Sequence, residues 1–168
     1  MMKKIALLIV VLVATISVFA QGQNENEKWF SRGIKNSFLN KKAPELVVEK
    51  WTTEKPDTVG KFILFEIYGL MCPPCWEAVP RLNAFHEKYK DKMVVIGCNR
   101  SRGKHPKEPE STYYKGYDTQ SRTYHAIGLK FVPYALLVDP KGIVRWEGSP
   151  NDLTDEIIKK ILRKYKKK

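Results

Sequence analysis

The chain has 168 residues and a mass of 19.5 kDa, which suits one domain with a sizeable core and excludes a two-domain dinucleotide-binding or kinase architecture. Hydrophobic residues make up 43% and charged residues 29% of the chain, a composition that excludes wholesale disorder. Three cysteines are too few for a disulfide-scaffold fold, and 10 glycines with 10 prolines exclude a collagen-like or low-complexity chain.

The formal net charge is +12, and much of the excess lies at the C-terminal end. Basic residues are concentrated there: Lys159, Lys160, Arg163, Lys164, Lys166, Lys167 and Lys168. We interpret this segment as the solvated, cationic end of a helix, which also suits the helix dipole. A weak attraction to an anionic membrane surface is the alternative. No nucleic-acid partner is expected, because no nucleic-acid-binding motif accompanies the charge.

Residues 1–20 have the layout of a secretory signal peptide. Two lysines precede the apolar run Ile5–Phe19, which is shorter than the roughly 20 residues that a spanning helix needs. Ala20 ends a small-residue cleavage site. We therefore expect an exported domain, periplasmic or secreted, in a compartment where disulfides persist; an uncleaved membrane anchor is the alternative. Residues 21–42 are expected to form a polar linker, and residues 43–168 the domain with its basic helix end.

The first half of the domain predicts two buried strands joined by a helix. Leu46–Val48 is predicted as a short strand, and Phe62–Tyr68 is a near-continuous apolar run, typical of a strand buried on both faces. A helical pattern then extends to about Tyr89, with apolar residues at spacings of four, three and four: Ala78, Leu82, Phe85 and Tyr89. Met93–Cys98 is predicted as the second buried strand.

A long loop and a short helix are predicted next. The segment Asn99–Lys115 is polar and basic and contains prolines, so we predict a loop, and we expect it to help select partners. Asp118 is predicted to cap a helix that reaches Ile127.

The C-terminal part predicts a hairpin and a final helix. Phe131–Asp139 and Ile143–Trp146 read as strands separated by a Pro-Lys-Gly turn. Asn151 or Asp152 is predicted to cap the last helix. The order of elements predicts an α/β fold, with a mixed sheet flanked by helices on both faces.

The cysteines of the sequence Cys72-Pro73-Pro74-Cys75 are the candidate chemical groups. They follow a strand and open a helix, where free backbone N–H groups and the helix dipole favour a thiolate. A proline at the first helical position costs no hydrogen bond. The spacing lets Cys75 reach back toward a sulfur bound to Cys72, so Cys72 is the candidate nucleophile and Cys75 the resolving thiol.

Three alternatives for the pair stay open. One is a purely structural disulfide, although closing so small a loop stabilises little. Another is half of a zinc site, although no second pair of ligands has suitable spacing. The third is a Cu(I) site formed by Met71, Cys72 and Cys75, as in a copper chaperone. For the redox function no separate cofactor is required, and no metal site is predicted.

The chain resembles the thioredoxin superfamily, and within it the exported thiol–disulfide oxidoreductases, including the reductases of cytochrome c maturation. Four features carry the resemblance over about Ala43 to Tyr165: the Cys-Pro-Pro-Cys sequence after a buried strand, Pro80 five residues later, the Val132-Pro133 dipeptide, and the Asp-Pro-Lys-Gly turn that begins at Asp139.

The resemblance implies roles for further residues. Pro133 matches a cis-proline packed against the disulfide, which would leave the backbone of Val132 free to pair with an incoming peptide. Glu66 matches a buried acid behind the active site, for which we predict a raised pKa and a role in accepting or relaying the Cys75 proton. A solvent-facing or salt-bridged Glu66 is the alternative. Trp76 is either a rim residue that contacts partners or a core residue.

These expectations define a thiol–disulfide oxidoreductase acting on protein disulfide or dithiol substrates. The family suggests a reductant that another dithiol, such as a membrane-embedded electron donor, recharges. The same chemistry in reverse, as an oxidant or isomerase, is the alternative within the class. Cys98 is expected to be a buried, inert thiol, and the three histidines are expected to be surface or locally bonded residues.

Overall fold

The computed structural model describes residues 37–165, which form one mixed sheet flanked by helices. The strands are β1 (Lys50–Trp51), β2 (Phe62–Tyr68), β3 (Met93–Asn99), β4 (Tyr114–Tyr117), β5 (Tyr134–Val138) and β6 (Val144–Gly148). The helices are α1 (Pro73–Tyr89), α2 (Arg122–Ile127) and α3 (Asp155–Tyr165), and a short 3-10 turn covers Pro150–Asp152. The strand order in the sheet is β1-β4-β3-β2-β5-β6.

Strand direction follows from the connections. The helix α1 crosses over between β2 and β3, which pair in parallel, and β4 extends this parallel set. The strands β5 and β6 form an antiparallel hairpin on the other side of β2, and Gly142 takes a φ of +78° in its turn. The central strand β2 is therefore paired along both edges, which explains its continuous apolar sequence.

Two cores lie on opposite faces of the sheet, because successive side chains of β2 point in opposite directions. Phe62 and Leu64 pack on one face with residues of α1 and α3. Phe65 and Ile67 pack on the other face with Ile127 of α2 and with the strands beside them. The predicted α/β fold with both faces covered is confirmed.

The sheet includes two short strands that the sequence did not predict, β1 at its edge and β4 next to β1. Leu46–Val48 is not a strand; the chain pairs only at β1, where Lys50 lies opposite Tyr117 of β4. The strand β4 begins inside the segment predicted as loop, and Gly116 allows β1 to approach it closely. A Cβ atom at Gly116 would lie 2.4 Å from Cγ1 of Val48 and 2.7 Å from the Lys50 carbonyl oxygen.

Asp118 binds the start of α2 as predicted, although Ser121 occupies the N-cap position, and the predicted cap of the last helix is wrong. The Asp118 carboxylate accepts a 2.6 Å hydrogen bond from the backbone N–H of Arg122, the first residue of α2. Asn151 and Asp152 instead lie in the 3-10 turn, and α3 begins at Asp155. The Thr154 hydroxyl accepts from the backbone N–H of Ile157 at 3.3 Å, so Thr154 replaces the predicted cap.

The packed part of the chain includes residues 37–42, which we expected to be linker. The backbone N–H of Asn40 donates to Val144 at 2.8 Å, and Lys42 forms an isolated antiparallel bridge with Ile143. The expected signal peptide, residues 1–20, lies outside the described residues. No helix between residues 37 and 165 has both the length and the apolar character to cross a bilayer.

Candidate active site

The two cysteines lie at the start of α1, joined by a disulfide with an S–S distance of 2.05 Å. Cys72 is the residue that caps the helix, and Pro73 occupies its first position, as the sequence predicted. The backbone N–H of Cys75 donates to the Cys72 carbonyl oxygen at 2.9 Å and lies 3.3 Å from the Cys72 sulfur. The first turn of the helix therefore directs the backbone N–H of Cys75 at the sulfur of Cys72.

The environments of the two sulfurs differ. Cys72 is 8% exposed and stands beside Met71, which is 78% exposed, whereas Cys75 is 1% exposed. The partial positive charge at the helix N-terminus favours a thiolate at Cys72. Of the two cysteines, Cys72 is therefore the more accessible to a molecule from solution.

Val132 forms the other wall beside the disulfide. The Val132–Pro133 peptide bond is cis, as the resemblance implied. The Val132 carbonyl oxygen lies 3.8 Å from the Cys72 sulfur, and its side chain packs against Tyr68 and both cysteines. Among residues 37–165, the N–H of Val132 has no hydrogen-bond acceptor. Next to the Cys72 sulfur, the chain therefore presents a backbone segment that is not paired within the sheet.

Glu66 lies in the interior of the protein. It is the fifth residue of β2, opposite Gly97 of β3 and Ala135 of β5, on the sheet face that α1 covers. The side chain is 1% exposed, so the solvent-facing alternative is wrong. The carboxylate accepts a 3.3 Å hydrogen bond from the Tyr113 hydroxyl, and its second oxygen has no partner among the described residues. Burial raises the pKa of Glu66 to about 7, as the sequence predicted in direction.

A buried ion pair lies near Glu66, and sequence reasoning missed it. Glu108 and Lys115 form this pair, and both residues are buried. The Lys115 ammonium lies 4.5 Å from the centroid of the Tyr68 ring and 5.4 Å from that of Tyr113. The positive charge of Lys115 lowers the pKa of Glu66 and the negative charge of Glu108 raises it, but burial is the larger effect.

The sequence signal for this cluster was weak. Lys115 and Glu108 occur in a polar, basic segment that resembles a solvated loop. The only local clue is that Tyr113 and Lys115 are two residues apart at the start of β4, which puts both side chains on one face of the sheet. Nothing in the sequence predicts a short strand there.

Trp76 is half-buried and stacks on His105, with ring centroids 4.9 Å apart and an interplanar angle of 23°. Further along α1, the side chain of Asn83 donates to the Glu110 carbonyl oxygen at 3.0 Å and accepts from the Thr112 N–H at 2.8 Å. These contacts hold the loop between β3 and β4 along α1, so that His105 covers one face of the Trp76 ring beside the cysteines.

The remaining cysteine is buried, and the three histidines pack against aromatic rings. Cys98 is a free, buried thiol, as predicted, and burial raises its pKa to about 12. His86 and His125 pack edge-on against tyrosine rings, and His105 stacks on Trp76, so all three are locally bonded. Within residues 37–165, no three or more His, Cys, Asp or Glu side chains are grouped to hold a metal ion.

Comparison with known proteins identifies the fold. No family model matches the chain. The thioredoxin-like protein YneN of Bacillus subtilis is 23% identical over 104 residues, covering 60% of this chain and 54% of that protein. The chain therefore spans about half the length of this curated relative.

Solved structures with the same fold include three with names from thiol–disulfide chemistry. One from Chlorobium tepidum, described as a thiol:disulfide interchange protein DsbE, has a TM-score of 0.61 at 23% identity and covers 73% of this chain and 94% of its own. A thiol-disulfide isomerase from Corynebacterium glutamicum has a TM-score of 0.56 at 20% identity and covers 75% and 97%. The thioredoxin domain of a thiol-disulfide oxidoreductase from Bacteroides vulgatus has a TM-score of 0.61 at 17% identity and covers 77% and 98%. The chain has the thioredoxin-like fold, and the predicted resemblance is confirmed at that level.

Proposed function

We propose that this protein is an exported thiol–disulfide oxidoreductase that reduces the disulfides of partner proteins. The observation that carries the proposal is the position of the Cys72–Cys75 pair. Its more accessible sulfur lies at a helix N-terminus and beside the unpaired backbone of Val132. The names of the structural neighbours and of the Bacillus subtilis relative support the same chemistry.

In the first step, the reduced protein attacks a partner disulfide. The Cys72 thiolate forms a bond to one partner sulfur, and the partner's S–S bond breaks, releasing its other sulfur as a thiolate. The helix N-terminus stabilises the attacking thiolate. We propose that the partner segment pairs with the N–H and carbonyl groups of Val132 by strand addition, with Pro133 shaping this groove and the exposed edge of Trp76 contacting the partner.

In the second step, Cys75 resolves the mixed disulfide. Its thiol loses a proton and attacks the Cys72 sulfur, which forms the Cys72–Cys75 disulfide and releases the second partner sulfur as a thiolate. Two electrons have then passed to the partner. We propose that Glu66 accepts the Cys75 proton, because an acid with a pKa near 7 on the sheet face beneath α1 is ionised often enough to act as a base.

The cycle closes when another dithiol reduces the Cys72–Cys75 pair. We propose a membrane-embedded electron donor for this step, with residues 1–20 acting as the export signal or as an anchor. The basic residues at the end of α3 add a weak attraction to an anionic membrane surface. Export places the disulfide cycle in a compartment where partner disulfides form.

Trapping of the mixed disulfide tests the proposal. Reduced Cys75→Ser protein is mixed with a disulfide-bearing peptide, and adducts are counted by mass under non-reducing conditions. We expect one peptide bound per chain at Cys72, a free peptide thiol, and no adduct on Cys72→Ser. The matched control is Cys98→Ser, which should react with the peptide at the wild-type rate. If a Cys75→Ser/Cys98→Ser protein forms no adduct while wild-type binds Cu(I) tightly, the copper-chaperone alternative replaces the redox proposal.

A further inference from the structure

An open cleft of about 530 Å³ borders Val132 on the surface beside the disulfide. Four segments form it: the turn after β2, the end of β3, the start of α2, and the residues just before Pro133. Val132 and Tyr68 line the cleft and also pack against both cysteines. A segment bound at the Cys72 sulfur and paired with Val132 therefore continues into this cleft.

The charge of the cleft has a single sign. Its charged lining residues are Arg100 and Lys130, and its twelve lining residues include no acid. Both cations are exposed, and neither forms an ion pair among residues 37–165. An acidic side chain that enters the cleft would therefore find two cations that are not already neutralised.

Arg100 is also held in a defined direction. Its Nε donates to the Ser121 hydroxyl at 3.0 Å, and its guanidinium carbon lies 4.1 Å from the centroid of the Tyr124 ring. These contacts fix the side chain without cancelling its charge. The floor is polar as well, because Asn99 lines it with the side chain 2% exposed. The cleft is thus built for an anionic, hydrogen-bonding occupant rather than for an apolar one.

Apolar contacts lie next to these cations. Phe131 is 39% exposed between Lys130 and Val132, and Met71 is 78% exposed next to Cys72. The structure describes only two other large hydrophobic residues as exposed, Leu39 and Val59. The surface around the disulfide therefore offers two apolar side chains and two cations to a single bound segment.

We infer that the cleft recognises an extended segment of the partner protein, with an aspartate or glutamate close to the reactive cysteine. The inference rests on the proposed function and names its substrate class. An extended chain advances roughly 3.3 Å per residue, so an acid about two to four residues from the partner cysteine faces the cleft when the segment pairs with Val132. An apolar residue nearer to that cysteine lies against Met71 or Phe131.

The test compares two peptides that differ only in charge. Each carries one cysteine, blocked as a disulfide with a small neutral thiol; one has Asp two residues from the cysteine and the other has Asn. The second-order rate constant is measured with reduced Cys98→Ser protein at low and at high salt. We expect the acidic peptide to react about tenfold faster at low salt and the advantage to shrink at high salt.

Substitutions assign the effect to the cleft. Arg100→Gln/Lys130→Gln should react equally with the two peptides, and Arg100→Lys should keep most of the preference. Lys130→Gln alone should lose part of it, and this change removes no hydrogen bond or ion pair among residues 37–165. The matched control is Lys141→Gln, an exposed lysine in the hairpin turn at the far end of β5, which should keep the full preference.

Each other outcome contradicts the inference in a distinguishable way. If the protein with an unchanged cleft reacts at equal rates with both peptides, the cleft does not recognise an acid. If Lys141→Gln loses as much of the preference for the acidic peptide as the cleft variants do, the preference comes from net charge. If the two cations speed the reaction of a small dianionic disulfide as much as that of the acidic peptide, a protein segment is excluded as the specific occupant of the cleft. If the reduced protein reacts with neither peptide nor a small neutral disulfide, the proposed oxidoreductase function itself fails.

Discussion

The hydroxyl group of Tyr113 donates a 3.3 Å hydrogen bond to the carboxylate of Glu66 in the interior of the protein. The two residues come from different strands, β2 and the segment that leads into β4, and 47 positions separate them in the sequence. Burial raises the pKa of Glu66 to about 7 and also raises the pKa of the Tyr113 hydroxyl. The pair thus keeps a titratable carboxyl group in the working pH range, beneath the helix that carries Cys75.

The first prediction concerns the pH dependence of resolution. Glu66→Gln keeps an acceptor for Tyr113 but removes the base, so we expect the mixed disulfide to resolve roughly 10²-fold more slowly at pH 8. The wild-type rate should rise through an inflection near pH 7, which the variant lacks. Rapid-quench measurements of how fast the mixed disulfide disappears give the resolution rate. Glu77→Gln, an exposed glutamate two residues after Cys75, is the control and should retain the wild-type profile. An unchanged inflection in Glu66→Gln would remove Glu66 from the mechanism.

The same carboxyl group predicts how stability varies with pH. The pKa of Glu66 is about 7 in the folded protein against an ordinary value of 4.5, so the folded state holds its proton more tightly than the unfolded state. The contribution of Glu66 is therefore full below about pH 4.5 and is lost as pH rises toward 7. Urea unfolding should show Glu66→Gln gaining stability relative to wild-type between pH 5 and pH 8. A constant difference across that range would contradict the assignment.

The buried ion pair predicts a large cost when one partner is removed. Lys115→Met leaves the Glu108 carboxylate buried without its cation, and we expect a loss of about 3–5 kcal/mol in the free energy of unfolding. Glu108→Gln/Lys115→Met should lose much less, because no unpaired charge remains. Lys104→Met, which breaks the exposed Lys104–Glu110 pair, is the control and should change stability little. Equal losses in the single and double variants would show that the charges are not coupled.

The ion pair should also affect the pH dependence of the resolution step. The positive charge of Lys115 lowers the pKa of Glu66, so its removal should move the inflection of the resolution rate to higher pH. Because Lys115→Met is expected to be unstable, this measurement uses Glu108→Gln/Lys115→Met. In this variant the cation and the second carboxylate are both absent, and burial remains the largest effect on the pKa of Glu66. An inflection at or above pH 7 is expected, and a downward shift would contradict the sign assigned to Lys115.

The central part of the fold and the position of the cysteine pair were predictable from sequence. The bounds of β2 match the apolar run Phe62–Tyr68, and Cys72 caps α1 as its spacing implied. These features depend on local patterns: continuous burial, helical periodicity and a proline at the helix start. The resemblance to thioredoxins supplied the cis bond before Pro133, which no local pattern specifies.

The parts that sequence missed depend on contacts distant along the chain. The strands β1 and β4 have two and four residues, too few for a recognisable period, and both depend on pairing with distant segments: β1 pairs with β4, and β4 also pairs with β3. Lys115 and Glu108 belong to a segment with the composition of a solvated loop. Both are buried in the structure, where Lys115 lies in β4, paired with β3, and Glu108 forms its ion pair. The cap of α3 was misplaced because Asn151, Asp152 and Thr154 are all competent caps, and tertiary packing selects among them.

A further prediction concerns the loop that lies along α1. Asn83→Ala removes the bonds to Glu110 and Thr112, so we expect faster amide hydrogen exchange in the loop between β3 and β4 without a change in the helix core. His105→Ala should increase access to the Trp76 ring, measured by quencher accessibility of tryptophan fluorescence. The control is Asn151→Ala. The Asn151 side chain donates to the Pro74 carbonyl oxygen rather than to the loop, so this change should leave exchange in the loop unchanged.

The reduction potential of the Cys72–Cys75 pair tests the proposed function most directly. The chain from residue 21, with Cys98→Ser, is equilibrated in graded dithiol buffers, and alkylated thiols are counted by mass. For a reductant of partner disulfides we predict a value near or below about −270 mV, the range of thioredoxin. A value near about −120 mV would identify a disulfide donor and contradict the proposed direction of electron flow.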